Sequence, residues 1–177
     1  MDRGNRAVPF GYEPPVSETK GTLVYYDSFQ HITDAELDIA YGTAVTRSFS
    51  KLVLYPLHEQ TVKRLSKEPV SPLYKREDML YEWKRSRNAE LAAIERLEGK
   101  RKKYTPIDSA LRHVMETYPS PIFLLITPET ANAFASFTSF EPWISRIRLL
   151  LTEEPAPGSI HPNLHKHSNR WGAIERT

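Results

Sequence analysis

Six side chains with acid, hydroxyl or imidazole chemistry fall within ten consecutive positions: Asp27, Ser28, His31, Thr33, Asp34 and Glu36. They follow a β-prone run, Thr22-Leu23-Val24-Tyr25-Tyr26, and lead into a stretch that carries Leu37, Ile39, Ala40 and Ala44 at helical spacing. A strand, a short polar turn and a helix start in close succession make the corner where α/β folds receive phosphate groups. Free amides and the helix dipole both favour an anion there. On that reading Tyr26, Asp27, Ser28, Phe29 and His31 form the turn that approaches a ligand, and the helix opens at Thr33. Each residue also has a plainer reading. Asp27 and Ser28 suit any turn, Asp34 and Glu36 suit the positive end of any helix, and His31 suits any surface loop.

Other candidates lie farther along. His161, His165 and His167 are close enough in sequence to suggest a metal. No Cys or nearby carboxylate completes such a set, so a loop is the preferred reading and no metal site is expected. Lys100-Arg101-Lys102-Lys103 is read as a solvated basic turn; it lacks the interleaved aromatics of a single-strand binder. Phe134, Phe137, Phe140 and Trp143 are read as core or as a cover over the sheet edge. Lys63 and Arg64 follow a strand end and are read as surface residues. No serine sits in a nucleophile-elbow pattern, and no Walker-type loop exists among only 7 glycines.

The elements that must position these residues alternate. Leu52-Val53-Leu54-Tyr55 reads as a second strand, and Leu57 to Pro69 as a loop or short helix. Ser71-Pro72 opens a helix, with Ser71 as N-cap. Leu91, Ile94 and Leu97 predict a further helix over 88–97, stopped by Gly99. Thr105-Pro106 starts another helix, with Ile107, Leu111, Val114 and Met115 on one face. Ile122-Phe123-Leu124-Leu125-Ile126 is apolar on both faces, as a central parallel strand is. Short helices follow at Thr127 to Phe134 and near Glu141, then a last strand over 147–151. The order β-α-β-α-α-β-α-β predicts a three-layer, Rossmann-like α/β sandwich with a mainly parallel sheet of about five strands. The expected divisions are an extended arm over 1–20, the α/β domain over 21–152, and an irregular tail over 153–177.

Composition sets the class. The 177 residues are 40% hydrophobic and 26% charged with a formal net charge of +2, which suits a globular domain rather than a disordered or strongly nucleic-acid-binding chain. The absence of cysteine excludes disulfides and thiolate ligands. The first residues hold no apolar leader run, and no apolar stretch reaches membrane-spanning length. A cytoplasmic protein is the expectation, with the nucleus as the other compartment.

Several spaced motifs resemble the nicotinamide and nicotinate mononucleotide adenylyltransferases of the nucleotidyltransferase superfamily. Ser28-Phe29-Gln30-His31-Ile32-Thr33-Asp34-Ala35-Glu36-Leu37 lies on the family's opening frame, Phe-[Asp/Asn]-Pro-x-[His/Thr]-x-x-His-Leu after a small-residue turn. Arg76-Glu77-Asp78-Met79-Leu80 is similar to its Arg-x-x-Met-Leu helix. Tyr104 to Leu111 is similar to its Tyr-Thr-x-Asp-Thr-Leu helix start. Thr127-Pro128-Glu129 stands where the family has Gly-x-Asp after a strand. The resemblance covers about residues 21–151. It implies ATP and nicotinamide or nicotinate mononucleotide as ligands, Mg²⁺ as cofactor, dinucleotide and pyrophosphate as products, and a place in NAD biosynthesis.

It also implies roles. Thr33 and Glu36 take the catalytic positions; Tyr26, Asp27, Ser28, Phe29, His31, Thr127 and Glu129 take the nucleotide-binding ones. Three departures bear on the chemistry. Glu36 replaces an imidazole that stabilises charge on the transferring phosphates. Losing such a donor costs about 3–4 kcal/mol, and an added like charge near 4 Å costs roughly 4 kcal/mol more at an effective dielectric of 20. A Mg²⁺ ligated by Glu36 would reverse that sign. Tyr26 and Asp27 stand where the family has small residues, and the C-terminal Ser-Thr-x-x-Arg stretch has no match around Arg170 or Arg176. The expectation is a nucleotidyltransferase-like pseudoenzyme with lost or much reduced turnover. The alternatives are a binding or scaffolding domain without nucleotide chemistry, or an unrelated α/β domain.

Overall fold

Strands that are apolar on both faces belong in the middle of a parallel sheet. Thr22–Asp27 (β1) and Ile122–Ile126 (β4) meet that condition, and they pair with each other, Thr22 opposite Ile122 through Tyr25 opposite Leu125. The computed structural model describes residues 21–176, so the arm expected over 1–20 lies outside them. On its other side β1 pairs with Lys51–Pro56 (β2), and β2 with Ala92–Ile94 (β3). Beyond β4 come Arg148–Leu151 (β5) and Trp171–Ala173 (β6). Every pairing is parallel, in the order β3-β2-β1-β4-β5-β6. This is a Rossmann-like three-layer α/β fold whose order reverses between β1 and β4.

The helices are α1 (Asp34–Thr46), α2 (Glu59–Leu65), α3 (Leu73–Arg87), α4 (Leu97–Arg101), α5 (Ile107–Thr117), α6 (Pro128–Ala135), α7 (Phe140–Ile144) and α8 (Pro162–Lys166). Alternation along the strands splits the core in two. Leu23, Tyr25, Leu52 and Leu54 face α1 and α3, meeting Leu37, Ala44, Leu80 and Trp83. Val24, Tyr26, Val53 and Tyr55 face the opposite layer, with Leu111 and Val114 of α5 and Phe134 of α6. Phe134 and Phe140 pack edge to face at 5.0 Å, and with Trp143 they belong to this second core rather than to a ligand pocket.

Gly21 fixes where β1 enters. Its φ is +87°, and a Cβ there would lie 2.2 Å from the Pro121 carbonyl oxygen, so only glycine fits. The adjacent Thr22 amide donates to that same carbonyl at 3.0 Å, and the Gly21 carbonyl accepts from Ser50 N at 2.8 Å.

The structure corrects four expectations. The stretch over 88–97 is not a helix. Asn88 takes a left-handed conformation (φ 52°) that ends α3, and Ala92–Ile94 pairs with β2 as a short edge strand. Gly99 does not stop a helix but lies inside α4, where its lack of a side chain lets Glu77 Oε2 approach; a Cβ would sit 3.1 Å from that oxygen. Ser71 does not cap α3; Pro72 holds the cap position, and the Ser71 amide and hydroxyl bond the Gln30 side chain instead. The segment from 153 onward is not wholly irregular: it contributes α8 and β6, so the sheet has six strands rather than about five. No helix among the described residues is long and apolar enough to cross a membrane.

Candidate functional site

The turn between β1 and α1 is built from side chains that bond their own backbone. Asp27 Oδ2 accepts from the Phe29 amide at 2.9 Å, and Ser28 Oγ from the Gln30 amide at 3.2 Å. This forces Phe29 to φ +61°, a left-handed conformation that costs a non-glycine residue about 1–3 kcal/mol. Burial of the Phe29 ring, edge-on to Tyr25 at 4.9 Å, offsets that cost. The chain then enters α1 through a reciprocal cap. Thr33 Oγ1 accepts from the Glu36 amide at 3.1 Å, and Glu36 Oε1 accepts from the Thr33 amide at 3.1 Å. Thr-x-x-Glu is the capping-box pattern, and it explains both residues without reference to a ligand.

Arg76 of α3 holds the turn against its neighbours. Its guanidinium is buried and donates to the carbonyls of Ser28 (2.8 Å), Leu57 (2.6 Å) and Ser71 (2.9 Å), and to Glu59 Oε1 (3.2 Å). One side chain thus ties the segments after β1 and β2 to the segment before α3. Burial lowers its pKa, and the Glu59 carboxylate works against that shift. At the end of β2, buried Glu98 accepts from Tyr55 Oη at 2.7 Å and the His58 amide at 2.8 Å.

Around this framework lies a cavity of about 510 Å³. That volume is within the usual range for a small-molecule site. It opens beyond the C-terminal ends of β1, β4 and β5, at the point where the strand order reverses, which is where folds of this type hold ligands. Asp27 lines it from β1, Glu36 from α1, Glu68 from the α2–α3 segment, Glu129 from α6, and Glu153 from beyond β5. Leu57, Val62, Leu65 and Val70 supply an apolar wall. Among the described residues, no lysine or arginine lines it. Burial, reinforced by Glu36 and opposed by the Phe29 and Ser28 amides, raises the Asp27 carboxyl to about 6. Burial also pushes the Tyr25 phenol up, with Asp27 and Glu36 adding to the shift.

The cavity brings together six of the residues singled out from sequence: Asp27, Ser28, His31, Glu36, Thr127 and Glu129. Tyr26, Phe29 and Thr33 do not line it. Tyr26 turns to the other face of the sheet and stacks on Tyr55 at 5.3 Å, so its ring does not plug the site; Tyr25 faces the cavity instead. His31 is exposed, with Nε2 4.0 Å from Glu68. Thr127 caps α6 by accepting from the Thr130 amide at 3.1 Å. Sequence reading missed Glu68, Thr130, Thr152 and Glu153. Thr152 and Glu153 follow β5 as Thr127 and Glu129 follow β4, and the rule that ligands meet strand ends would have found them.

The tail also returns to the site. Arg176 Nη1 donates to the Thr152 carbonyl at 2.8 Å, and its Nη2 lies 4.0 Å from Glu36 Oε2. Of the three histidines near it in sequence, His161 caps α8 and His167 pairs with Glu141 at 2.9 Å. Among the described residues no three His, Asp or Glu side chains converge as metal ligands. Glu36 Oε1 is already engaged in the cap.

No protein-family model matches the chain, and no curated protein matches it.

Proposed function

We propose that the chain is a nucleotidyltransferase-like domain, similar to the mononucleotide adenylyltransferases, in which turnover is lost or much reduced. Its ancestral reaction would join ATP to nicotinamide or nicotinate mononucleotide by attack of the mononucleotide phosphate on the α-phosphorus. Catalysis of that step is chiefly electrostatic, so it depends on donors aimed at developing negative charge.

The observation that carries the reading is Glu36. It stands at the motif's imidazole position, it faces the cavity, and the cap fixes it in place. Asp27, Glu129 and Glu153 add further negative charge to the same space. A polyphosphate entering there meets acceptors and repulsion where the reaction needs donors. The strand order and the cavity's position support descent from a nucleotide-binding fold, although a fold by itself does not assign an activity.

The test is direct. Purified protein with Mg-ATP and either mononucleotide is assayed for dinucleotide and pyrophosphate, and for thermal stabilisation. The expected result is no turnover and no stabilisation by Mg-ATP. Occupancy at a hundredfold over a dissociation constant would stabilise the fold by about 2.7 kcal/mol, which is easily read. Turnover in the ordinary enzymatic range of roughly 1–10³ s⁻¹ would overturn the proposal.

A further inference from the structure

We propose that the cavity beyond β1, β4 and β5 binds an extended organic polycation of the linear polyamine class. Its separated ammonium groups meet carboxylates on different elements, and its methylene spacers lie along the apolar α2 side. The inference rests on the reading that polyphosphate no longer has a place in this cavity.

Four observations converge. The first is the space itself, about 510 Å³ at the ligand-receiving end of the sheet and open to solvent through its rim. The second is charge. Five carboxylates from five different segments line it, with no lysine or arginine among the described lining residues, in a chain whose formal net charge is +2. That concentration is a local arrangement and not a consequence of composition. Low-dielectric walls lined by one sign of charge raise the local concentration of the opposite sign.

The third observation is dispersion. No three acidic or histidine side chains among the described residues converge on a point that could hold a metal ion. A compact dication finds no three-ligand site there among the described residues, whereas a flexible chain with several ammonium groups can meet carboxylates on separate elements. Leu57, Val62 and Leu65 provide the apolar surface along which its methylenes lose water.

The fourth observation is a cation already present. The guanidinium of Arg176 sits at the cavity's edge, donating to the Thr152 carbonyl and facing Glu36, and both of those residues line the cavity. A carbonyl paired with a carboxylate is an acceptor set suited equally to a primary ammonium. The chain's own side chain thus occupies one of the positions that a ligand ammonium would take.

The experiment is calorimetric titration of the full chain at low salt with spermidine. Butylamine, MgCl₂ and Mg-ATP are titrated in parallel, and dinucleotide synthesis is measured on the same preparation. The informative variants are Glu36→Gln combined with Glu129→Gln, and Arg176→Ala. Glutamine preserves the capping box, and Glu129 is exposed on α6, so the double variant keeps the fold; its circular dichroism confirms that. Saturable one-site binding of spermidine is expected, tighter than that of butylamine or Mg²⁺. The double variant should lose about tenfold in affinity, the sum expected for two partly exposed ion pairs. Arg176→Ala should bind severalfold more tightly, because an internal competitor is gone. Spermidine binding no tighter than that of Mg²⁺, or unchanged in the double variant, would overturn the inference. If neither spermidine binding nor dinucleotide synthesis is found, only the ligand assignment falls. Dinucleotide synthesis would instead overturn the loss of turnover on which it rests.

Discussion

Asp27→Asn isolates the cost of keeping a carboxylate at the end of β1. The Asp27 carboxyl titrates at about 6 in the fold against 3.8 for the free side chain, with burial as the main cause. Because the folded value is the higher one, the folded state binds the proton more tightly. Between pH 3.8 and pH 6 the unfolded chain has released this proton and the folded chain has not. Stability therefore falls as pH rises through that window and stays level above it. A shift of about two units at about 1.36 kcal/mol per unit gives a total of about 3 kcal/mol. Asparagine has no charge to desolvate, and its side-chain oxygen still accepts from the Phe29 amide.

The variant should match the native chain near pH 4 and exceed it by up to about 3 kcal/mol at pH 7.5. Urea unfolding followed by tryptophan fluorescence at half-unit pH intervals measures both curves. Subtracting one from the other cancels the titrating groups that do not interact with Asp27. A difference that stays flat from pH 4 to 7.5 would refute the burial argument, and one that falls with pH would reverse its sign.

Three further outcomes are expected. Gly21→Ala should lose about 1–2 kcal/mol in the same assay from the left-handed backbone alone, with the clash against the Pro121 carbonyl adding to that. Arg76→Met fills similar volume but leaves three carbonyls without their donor and Glu59 without its guanidinium partner, so a loss of about 3–5 kcal/mol is expected; limited proteolysis should cut the 66–72 segment first. Thr33→Ala should cost about 1 kcal/mol by removing the cap acceptor. Glu36→Gln should cost less than about 0.5 kcal/mol, since the box accepts either residue; chemical denaturation of both separates a structural Glu36 from an electrostatic one.

The central fold was legible because β1, β2 and β4 carry apolar residues on both faces and are bounded by sharp turns. The edges were not. Ala92-Ala93-Ile94 has weak strand preference, and Leu91, Ile94 and Leu97 happen to repeat at helical spacing. Pairing to Leu52–Leu54 decides the matter, and no local pattern records it. Trp171-Gly172-Ala173 is three residues long with glycine in the middle, and it becomes a strand only because β5 lies beside it. At the site, the strand-to-helix corner places Asp27, Ser28, His31 and Glu36 along the cavity. The side to which Tyr25 and Tyr26 each point depends on register, and β-strand alternation offers two choices until the sheet faces are assigned. The Thr33–Glu36 cap was written in the sequence as Thr-x-x-Glu.

Strand β6 joins two properties that are usually separate. It pairs along β5 as the outermost strand of the sheet, and three residues beyond it Arg176 reaches back to the cavity. Removing the segment from 168 onward would therefore do two things at once. It would bare the main-chain edge of an almost wholly buried strand, inviting another molecule to add there. It would also release Glu36 from its intramolecular counterion. Cover for the sheet edge and a counter-charge at the cavity rim are in this way tied to the same few residues.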